Sequence, residues 1–285
     1  MQKYYLVGSP ISHSFSPKMH NMAFRLTGID AEYGLFEADE AALPKAVEKL
    51  ISSGACGWNV TMPDKTAMCG LCDELSEAAR IGRSVNTVKV VGGKLFGDTT
   101  DGRGFVRAAN EAGFTVAGAS ITLLGTGGAA SAILIDSVLT GADRIFVFYN
   151  RKSSVDRVKR ITDALSGRYS TVISFHALSD RDSLRKKIEL SSLLVNATSV
   201  GMKKSLEDVS YKDASPVPDS SFFHPDLNVF DAIYNPRETC LIRMAKERGC
   251  KTENGLPMLL YQGAESFRIW TGQEFPVKEI KDALF

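Results

Sequence analysis

The sequence predicts an α/β protein made of two consecutive units, each built around its own sheet. Short apolar runs alternate with segments in which apolar residues recur at helical spacing, both before residue 100 and after residue 120. The length of 285 residues suits two domains better than one, and the 44% hydrophobic content is enough for a substantial core. Because strands that alternate regularly with helices form parallel sheets, we expect the second unit to contain one.

The first unit starts with a β-α-β-α-β pattern and ends in a hairpin. The sequence predicts strands at 4–8, 32–37 and 55–60 and helices at about 16–27 and 39–53. A further strand at 85–91 turns through Gly92-Gly93 into KLFGD, which is a β-hairpin signal. The chain then reaches TTDGRGF at 99–105, where we place the end of this unit.

The second unit begins at Ser120, where ITLLG is an apolar run typical of parallel strands buried on both faces. The alternation continues through predicted strands at 144–150, 171–175, 193–198 and 228–234, with helices near 154–166 and 180–189 and a loop at 203–226. The last segment, 256–272, has the wide apolar face of a helix but no strand follows it, so we expect it to pack on the first unit. These boundaries divide the chain into 1–104, completed by 256–285, and 105–255.

Charge and composition exclude several classes of partner. Lys and Arg total 34 and Asp and Glu total 33, so the formal net charge of +1 offers no basic surface for nucleic acid or for anionic lipid. The short apolar stretch at the N-terminus is interrupted by Gly8-Ser9-Pro10, which fits neither a signal peptide nor a membrane span. We therefore expect a cytoplasmic protein that acts on small molecules, and the sequence leaves monomer and homodimer open.

The five cysteines are too few for a disulfide framework in a chain of this length. Cys69 and Cys72 have the C-x-x-C spacing of a redox dithiol or of half a zinc site, but no second pair follows and the four histidines are scattered. We interpret both cysteines as packing residues and predict no metal site.

A glycine turn follows the first strand of the second unit. Gly125, Gly127 and Ala130 fit the G-x-G-x-x-[GA] pattern between a strand and a helix, which is the context that a dinucleotide site requires. Gly125 permits the tight turn, Gly127 lets the backbone approach a pyrophosphate, and Ala130 allows close packing of the helix on the strand. The N–H groups at the start of the helix would face the anion. The alternative is a glycine-rich turn without a ligand.

The residues after the next predicted strand bear on the choice of cofactor. NAD-binding folds usually carry an acidic residue about 20 residues beyond the glycines, whereas arginine there suits the 2′-phosphate of NADP. This chain has Asn150-Arg151-Lys152-Ser153, with two cations and no carboxylate. The segment therefore predicts NADP, although nearby Asp156 leaves NAD possible and a solvated basic helix start is the alternative.

A lysine close to a strand end and an aspartate at the exit of the first unit suggest acid–base chemistry. Reduction of a carbonyl produces an alkoxide that needs a proton, so a reductase requires a general acid near that oxygen. Lys65 follows the predicted strand 55–60, and Asp101 stands where the chain leaves the first unit. Taken singly, a lysine at a helix start is usually solvated and Asp-Gly is usually a turn. We predict that the two border one cleft.

Motifs along nearly the whole chain, taken together, resemble those of the shikimate dehydrogenase family. They are GSPISHSFSPKMHN at 8–21, NVTMPDK at 59–65, VNT at 85–87, TDGRGF at 100–105, GTGGAA at 125–130, NATSVGM at 196–202, and YNP and GLPMLLYQGA near the end. The resemblance implies an N-terminal α/β substrate domain and a Rossmann-like NADP-binding domain. It also implies the reversible, NADPH-dependent reduction of 3-dehydroshikimate to shikimate, a step of the chorismate pathway to aromatic amino acids.

The resemblance also implies roles for individual residues. Ser14 and Ser16 would hold the substrate carboxylate with Tyr234 nearby, and Lys65 with Asp101 would form the catalytic pair. The residues that would bond the ring hydroxyls are Thr61, Asn86, Asp101 and Gln262. The residues that would contact the cofactor are Gly125, Gly127, Gly128 and Ala129 at the pyrophosphate, Asn150 and Arg151 at the adenosine, and Thr198, Met202, Gly255 and Met258 around the nicotinamide.

Departures from the family pattern leave alternatives open. Thr126 stands where alanine is common, and we expect its side chain to point outward; Lys152 stands where serine or threonine often helps to hold the 2′-phosphate. Some relatives oxidise quinate and some use NAD, so a dual quinate/shikimate dehydrogenase using NAD is the main alternative, although Ser16 leans toward shikimate. A non-catalytic dinucleotide sensor is a further alternative, whereas the serines disfavour a folate-linked dehydrogenase. The sequence does not reveal whether Lys65 or Asp101 transfers the proton.

Overall fold

The structure is a computed structural model that describes residues 1–61, 63–203 and 208–284. Met62 of the NVTMPDK motif and residues 204–207 of the predicted loop therefore lie outside the described residues. The chain forms two compact units, one made of residues 1–104 and 260–285 and the other of residues 105–259. Both are α/β units, which confirms the predicted fold class.

The first unit is built on a mixed six-stranded sheet. Its strands are β1 (Gln2–Gly8), β2 (Ala31–Glu37), β3 (Ala55–Val60), β4 (Glu74–Leu75), β5 (Thr87–Val91) and β6 (Lys94–Asp98). Their order across the sheet is β2-β1-β3-β5-β6-β4. The strand β1 pairs parallel with β2 and β3, β5 pairs antiparallel with β3 and β6, and β4 pairs parallel with β6.

Helices connect these strands, and two of them continue from one unit into the other along the chain. The helices are α1 (Ser16–Thr27), α2 (Leu43–Ser52), α3 (Lys65–Cys69), α4 (Glu77–Gly82), α5 (Asp101–Glu111), α10 (Leu256–Thr271) and α11 (Val277–Leu284). The helix α5 begins in the first unit, and α10 ends in it. Pro17 in the first turn of α1 has the φ that a helix start requires, and Gly28 ends that helix in the left-handed conformation.

The end of α10 packs on the first sheet. A Cβ atom at Gly57 of β3 would lie 2.6 Å from Trp270 Nε1 and 2.6 Å from the backbone oxygen of Val88, so only glycine fits there. The Trp270 indole N–H donates to that Val88 oxygen at 2.9 Å, and its ring stacks on Tyr4 of β1. Trp270 therefore holds β1, β3 and β5 beneath the helix.

The second unit contains a six-stranded sheet in which every pairing is parallel. Its strands are β7 (Ser120–Leu124), β8 (Arg144–Tyr149), β9 (Val172–Ala177), β10 (Leu193–Asn196), β11 (Asn228–Asp231) and β12 (Lys251–Glu253). The helices that lie wholly within this unit are α6 (Gly128–Leu139), α7 (Val155–Leu165), α8 (Arg181–Glu189) and α9 (Cys240–Glu247). The strand order β12-β11-β10-β7-β8-β9 is the doubly wound order of dinucleotide-binding folds, with its switch point between β7 and β10.

Several short elements escape the sequence-based prediction. They are β4, α4, α5, α9 and β12, and within the predicted loop 203–226 the 3₁₀ turns Ser210–Asp213 and Ser220–Phe222. Two predicted strands are also shorter than expected, since β10 ends at Asn196 and β11 at Asp231. None of the helices in the described ranges is both long and apolar enough to cross a membrane.

The C-x-x-C cysteines take part in packing. Cys69 ends α3, and both Cys69 and Cys72 pack against the buried cluster around Trp58 and Leu50. Burial raises the pKa of both thiols, that of Cys72 to about 12, so both are protonated and weakly nucleophilic near neutral pH.

Candidate active site

Four chain segments meet at one end of the strands of the first sheet, the end at which β1 and β3 finish, because of how the strands pair. The strands β1 and β3 run parallel with Val7 opposite Val60, so the segments that follow them leave the sheet side by side. The antiparallel strand β5 places its first residue, Thr87, opposite Asn59 on one side and opposite Asp98 on the other. This end of the sheet therefore carries the residues that follow β1, β3 and β6 and the residue that precedes β5. Most of the predicted substrate residues lie in those segments.

Lys65 and Asp101 form an ion pair at this end of the first sheet. Lys65 begins α3 after the turn that follows β3, and Asp101 begins α5 after β6. Lys65 Nζ lies 2.6 Å from Asp101 Oδ2, with the two side chains 25% and 19% exposed. Asp101 is the acidic residue in the first turn of its helix, where the helix dipole favours a negative charge. The pair is thus partly shielded from water and still accessible to a ligand.

Asn86 holds the second oxygen of Asp101. The Asn86 amide nitrogen donates to Asp101 Oδ1 at 2.9 Å, and the Asn86 amide oxygen accepts the backbone N–H of Thr100 at 2.9 Å. Because a backbone N–H can only donate, the amide orientation of Asn86 is determined, and its nitrogen must face the carboxylate. Asp101 therefore receives Lys65 on one oxygen and Asn86 on the other.

A buried polar network that the sequence did not predict supports Asn86 from behind. The Asn59 side-chain nitrogen donates to the Asn86 backbone oxygen at 3.0 Å and to Ser266 Oγ at 2.9 Å. Thr87 Oγ1 lies 2.9 Å from Asn86 Oδ1 and 2.7 Å from Ser266 Oγ. Tyr33 donates to Asn59 Oδ1 at 2.8 Å. Because unsatisfied buried polar groups are costly, these mutual bonds hold Asn86 in one position.

The other predicted substrate residues of the first unit lie beside Asn86, directly after β3, or at the start of α1. Gln262 of α10 places its Oε1 3.4 Å from the Asn86 amide nitrogen. Thr61 follows β3 and is anchored by its backbone N–H, which donates to the Val7 oxygen at 2.9 Å. Ser14 Oγ donates to Ser16 Oγ at 3.1 Å just where α1 begins. Tyr234 belongs to the second unit, and the residue is 44% exposed.

The glycine turn lies at the switch point of the second sheet. Gly125 follows β7 with φ +115°, and a Cβ atom there would lie 2.9 Å from the Ala197 oxygen after β10, so glycine is required. Gly127 caps α6 and Gly128 starts it; apart from their chain neighbours and the backbone of α6, no atom of the described residues lies within 4 Å of a Cβ built at either. The first N–H groups of a helix lack intrahelical partners, so this open approach fits a pyrophosphate.

The remaining predicted cofactor residues lie in the first turn of α6, after neighbouring strands, or at the start of α10. Ala129 lies in the first turn of α6, Asn150 and Arg151 follow β8 and are exposed, and Thr198 and Met202 follow β10. Gly255 packs directly on the backbone oxygen of Ala232, and Met258 is only 9% exposed. Close packing of α10 therefore accounts for the small residue at position 255.

Asp231 fixes the segment that contains Thr198. The Asn196 amide oxygen accepts both the backbone N–H and the hydroxyl of Thr198, at 3.0 and 2.8 Å. The Asn196 amide nitrogen donates to Asp231 Oδ1 at 3.0 Å, and Thr239 donates to Asp231 Oδ2 at 2.6 Å. Burial raises the pKa of Asp231 to about 6, although these donors and the Ile233 N–H oppose the shift. Sequence reasoning missed this support, although Asn196 lies in the NATSVGM motif.

Asp231 should make the stability of the protein depend on pH. Its pKa in the folded protein lies above the ordinary 3.8, so the contribution to stability is present below that value and is lost as the pH rises through about 6. From pH 4 to pH 7, we expect the free energy of unfolding to fall by roughly 2 to 3 kcal/mol more in the wild-type protein than in Asp231→Asn. Urea unfolding followed by circular dichroism at both pH values measures the difference.

The exposed Asp163 of α7 provides the matched control for this measurement. Asp163→Asn should leave the pH dependence of the wild-type protein unchanged. If Asp231→Asn showed the same pH dependence as the wild-type protein, burial of Asp231 would not govern its titration.

A glycine turn at the switch point of a doubly wound sheet is where such sheets take a dinucleotide, and a lysine held by a carboxylate can deliver a proton. These features define the class of dinucleotide-dependent oxidoreductases. The sequence matches two protein-family models: that of the shikimate dehydrogenase substrate-binding domain over residues 6–88, and that of the shikimate 5′-dehydrogenase C-terminal domain over residues 255–285. The chain belongs to the shikimate dehydrogenase family.

Individual relatives agree over almost the full length. Shikimate dehydrogenase (NADP+) of Streptococcus uberis is 42% identical over 283 residues, which cover 98% of this chain and 94% of the relative. Quinate/shikimate dehydrogenase of Escherichia coli O139:H28 is 36% identical over 285 residues, covering 99% and 97%. The crystal structure of Listeria monocytogenes shikimate 5-dehydrogenase with shikimate and NAD is 38% identical and has a TM-score of 0.95, covering 100% of this chain and 96% of that chain.

Proposed function

We propose that the protein catalyses the reversible, NADPH-dependent reduction of 3-dehydroshikimate to shikimate. The observation that carries this proposal is the Lys65–Asp101 ion pair, 2.6 Å long and partly buried, at the end of the first sheet where β3 and β6 finish. The relatives named for this activity cover nearly the whole chain, which supports the same assignment. The proposal also assigns residues 1–104 with 256–285 to the substrate and residues 105–255 to the cofactor.

Lys65 is the proposed proton donor. When the ring ketone is reduced, the new alkoxide takes a proton from the Lys65 ammonium, and in the reverse direction the neutral amine accepts it back. Asp101 holds Lys65 through Oδ2 while Asn86 holds Oδ1, so the ammonium is kept in one place before the substrate arrives. Such preorganisation lowers the entropic cost of reaching the reactive geometry.

Hydroxyl and amide groups of the first unit are proposed to bind the rest of the substrate. Ser14 and Ser16 would donate to its carboxylate, and Tyr234 is proposed as a further substrate-binding residue. Hydroxyl donors can do this without the fixed charge of arginine. The residues proposed to bond the ring hydroxyls are Thr61, Asn86, Asp101 and Gln262.

The second unit is proposed to hold the cofactor. Gly125, Gly127, Gly128 and Ala129 would receive the pyrophosphate, Asn150 and Arg151 the adenosine, and Thr198, Met202, Gly255 and Met258 the nicotinamide. When bound, the nicotinamide supplies or accepts the hydride. Arg151 and Lys152 are exposed and carry the positive charge that a 2′-phosphate requires, so we propose NADP as the preferred cofactor.

A dual quinate/shikimate dehydrogenase using NAD is the second candidate. It is favoured by the 36% identity to a quinate/shikimate dehydrogenase and by the NAD in the complex of the Listeria relative. Asp156, in the first turn of α7, is a carboxylate close to the proposed adenosine segment.

Oxidation rates with shikimate or quinate, each with NADP+ or NAD+, separate the two candidates. We expect kcat/KM to be highest for shikimate with NADP+, because the cations at 151 and 152 attract the 2′-phosphate. Higher kcat/KM with NAD+ and quinate would establish the second candidate. Cofactor binding without turnover in all four combinations would instead indicate a dinucleotide sensor.

We further infer that the protein works in the cytoplasm, on small molecules, as a monomer or homodimer. The balanced charge supports partners other than nucleic acid and membrane surfaces. All five cysteines are free thiols, which fits a reducing compartment.

A further inference from the structure

A hydrogen-bonded link joins the glycine turn to the segment that follows β8. Thr126, the second residue of the turn, donates from Oγ1 to Ser154 Oγ at 2.7 Å. Ser154 Oγ donates in turn to the backbone oxygen of Arg151 at 2.6 Å, and the Ser154 backbone N–H reaches the same oxygen at 3.0 Å. The sequence led us to expect that the side chain of Thr126 points outward, but in the structure it bonds to Ser154.

The direction of this link is determined by its chemistry. A backbone carbonyl can only accept, so the single hydroxyl proton of Ser154 is committed to Arg151. Ser154 can then only accept from Thr126, which must be the donor. Thr126 thus holds Ser154, and Ser154 holds the carbonyl of Arg151.

The link restrains a segment whose side chains are exposed and positively charged. Arg151 is extended, with φ −119° and ψ 130°, and it precedes the 3₁₀ turn Lys152–Ser154. An exposed cation that must become ordered to bind a phosphate loses conformational entropy, which weakens binding. Fixing the carbonyl of Arg151 and the turn behind it removes part of that loss before the phosphate arrives.

We propose that Thr126 is a specificity-determining positioning residue: through Ser154 it holds the Arg151–Lys152 backbone in the conformation that receives the 2′-phosphate of NADP. This inference rests on the proposed function, in which Arg151 lies at the adenosine. The residue acts on the 2′-phosphate through another part of the chain, so its effect should appear with NADP+ and be absent with NAD+, which lacks that phosphate.

Thr126→Val tests the inference because valine keeps the shape of threonine and removes only the hydroxyl. One hydrogen bond of net worth near 1 kcal/mol corresponds to a Kd change of about fivefold. We therefore expect the Kd for NADP+ to rise about three- to tenfold while the Kd for NAD+ stays within about twofold, both measured by calorimetry without substrate. Thr126→Ser restores a hydroxyl at this position and should restore the wild-type ratio of the two constants.

Two further variants separate this effect from general damage. Thr162→Val removes another threonine hydroxyl of the second unit, one that donates to the Val158 oxygen within α7 at 3.0 Å, and should change neither Kd. Ser154→Ala removes both side-chain bonds of the link and should weaken NADP+ binding at least as much as Thr126→Val does. Thermal melts of all variants report whether the unit remains folded, and Ser154→Ala keeps the test available if Thr126→Val does not fold.

Three results would overturn the inference. Equal weakening of NADP+ and NAD+ in Thr126→Val would mean that the link shapes the pyrophosphate turn and not the 2′-phosphate site. A second such result would be an unchanged Kd for both cofactors in Thr126→Val and Ser154→Ala, together with a lost preference for NADP+ in Arg151→Ala. The link would then have no role in specificity, and the proposed cofactor would stand. If the wild-type protein and Arg151→Ala both bound the two cofactors equally, the proposed preference for NADP would fall together with the inference.

Discussion

Lys65→Ala should lower kcat by about 10²- to 10⁴-fold, because it removes the proposed proton donor while leaving the rest of the first unit in place. The loss should fall on kcat and leave the affinity for shikimate nearly unchanged, since the serines and amides proposed to bind the substrate are untouched. Steady-state rates of shikimate oxidation with NADP+, together with a direct measurement of shikimate binding, test this prediction.

Lys45→Ala is the matched control for Lys65→Ala. Lys45 lies on α2 of the same unit and is exposed, so its removal should leave kcat and KM at their wild-type values. Turnover of Lys65→Ala within about threefold of the wild-type rate would remove the lysine from the chemical step, because general acid catalysis contributes far more than that.

Asp101→Asn should lower kcat by about 10²-fold or more through a specific conflict of donors. The Asn86 amide nitrogen faces this side chain, so the oxygen of an asparagine at 101 would turn toward Asn86. Its own NH₂ group would then face the Lys65 ammonium, where the native carboxylate oxygen lies 2.6 Å away. Two donors repel each other, so Lys65 would be displaced as well as deprived of its counter-charge. The same steady-state assay measures the effect.

The exposed Asp282 on α11 of the same unit is the control for this second substitution. Asp282→Asn should retain full activity. Wild-type kcat in Asp101→Asn would show that the ion pair does not position the catalytic amine.

Much of the fold could be predicted because buried parallel strands leave a clear pattern. The runs ITLLG, RIFVFYN and LLVNAT are predominantly apolar, as expected for strands covered on both faces. The missed elements lack such a pattern. The start of α5 reads DGRGF, in which two glycines conceal a helix, and β12 is the polar tripeptide Lys251–Glu253, which is a strand only because it pairs with β11. One usable signal was overlooked: Thr239 caps α9 by accepting the Ile242 N–H.

The candidate site was less predictable, because its support comes from distant parts of the chain. Lys65 and Asp101 were predicted to border one cleft, and the structure brings them into contact. Their supporting network joins Asn59 to Ser266 across 207 residues of sequence, a pairing that no local pattern shows. The bond from Thr126 to Ser154 has the same origin, since a hydroxyl in a turn gives no sign of which segment it will reach.

The order in which the chain is synthesised gives the position of Trp270 a consequence for folding. All residues of the second unit, 105–259, are in place before the helix that completes the first unit has been made. Until Trp270 emerges, Gly57 and the Val88 carbonyl face no indole, and the Asn59 side chain lacks its partner Ser266. The first unit, most of which is made first on the ribosome, can therefore complete its buried contacts only after the end of the chain has been made.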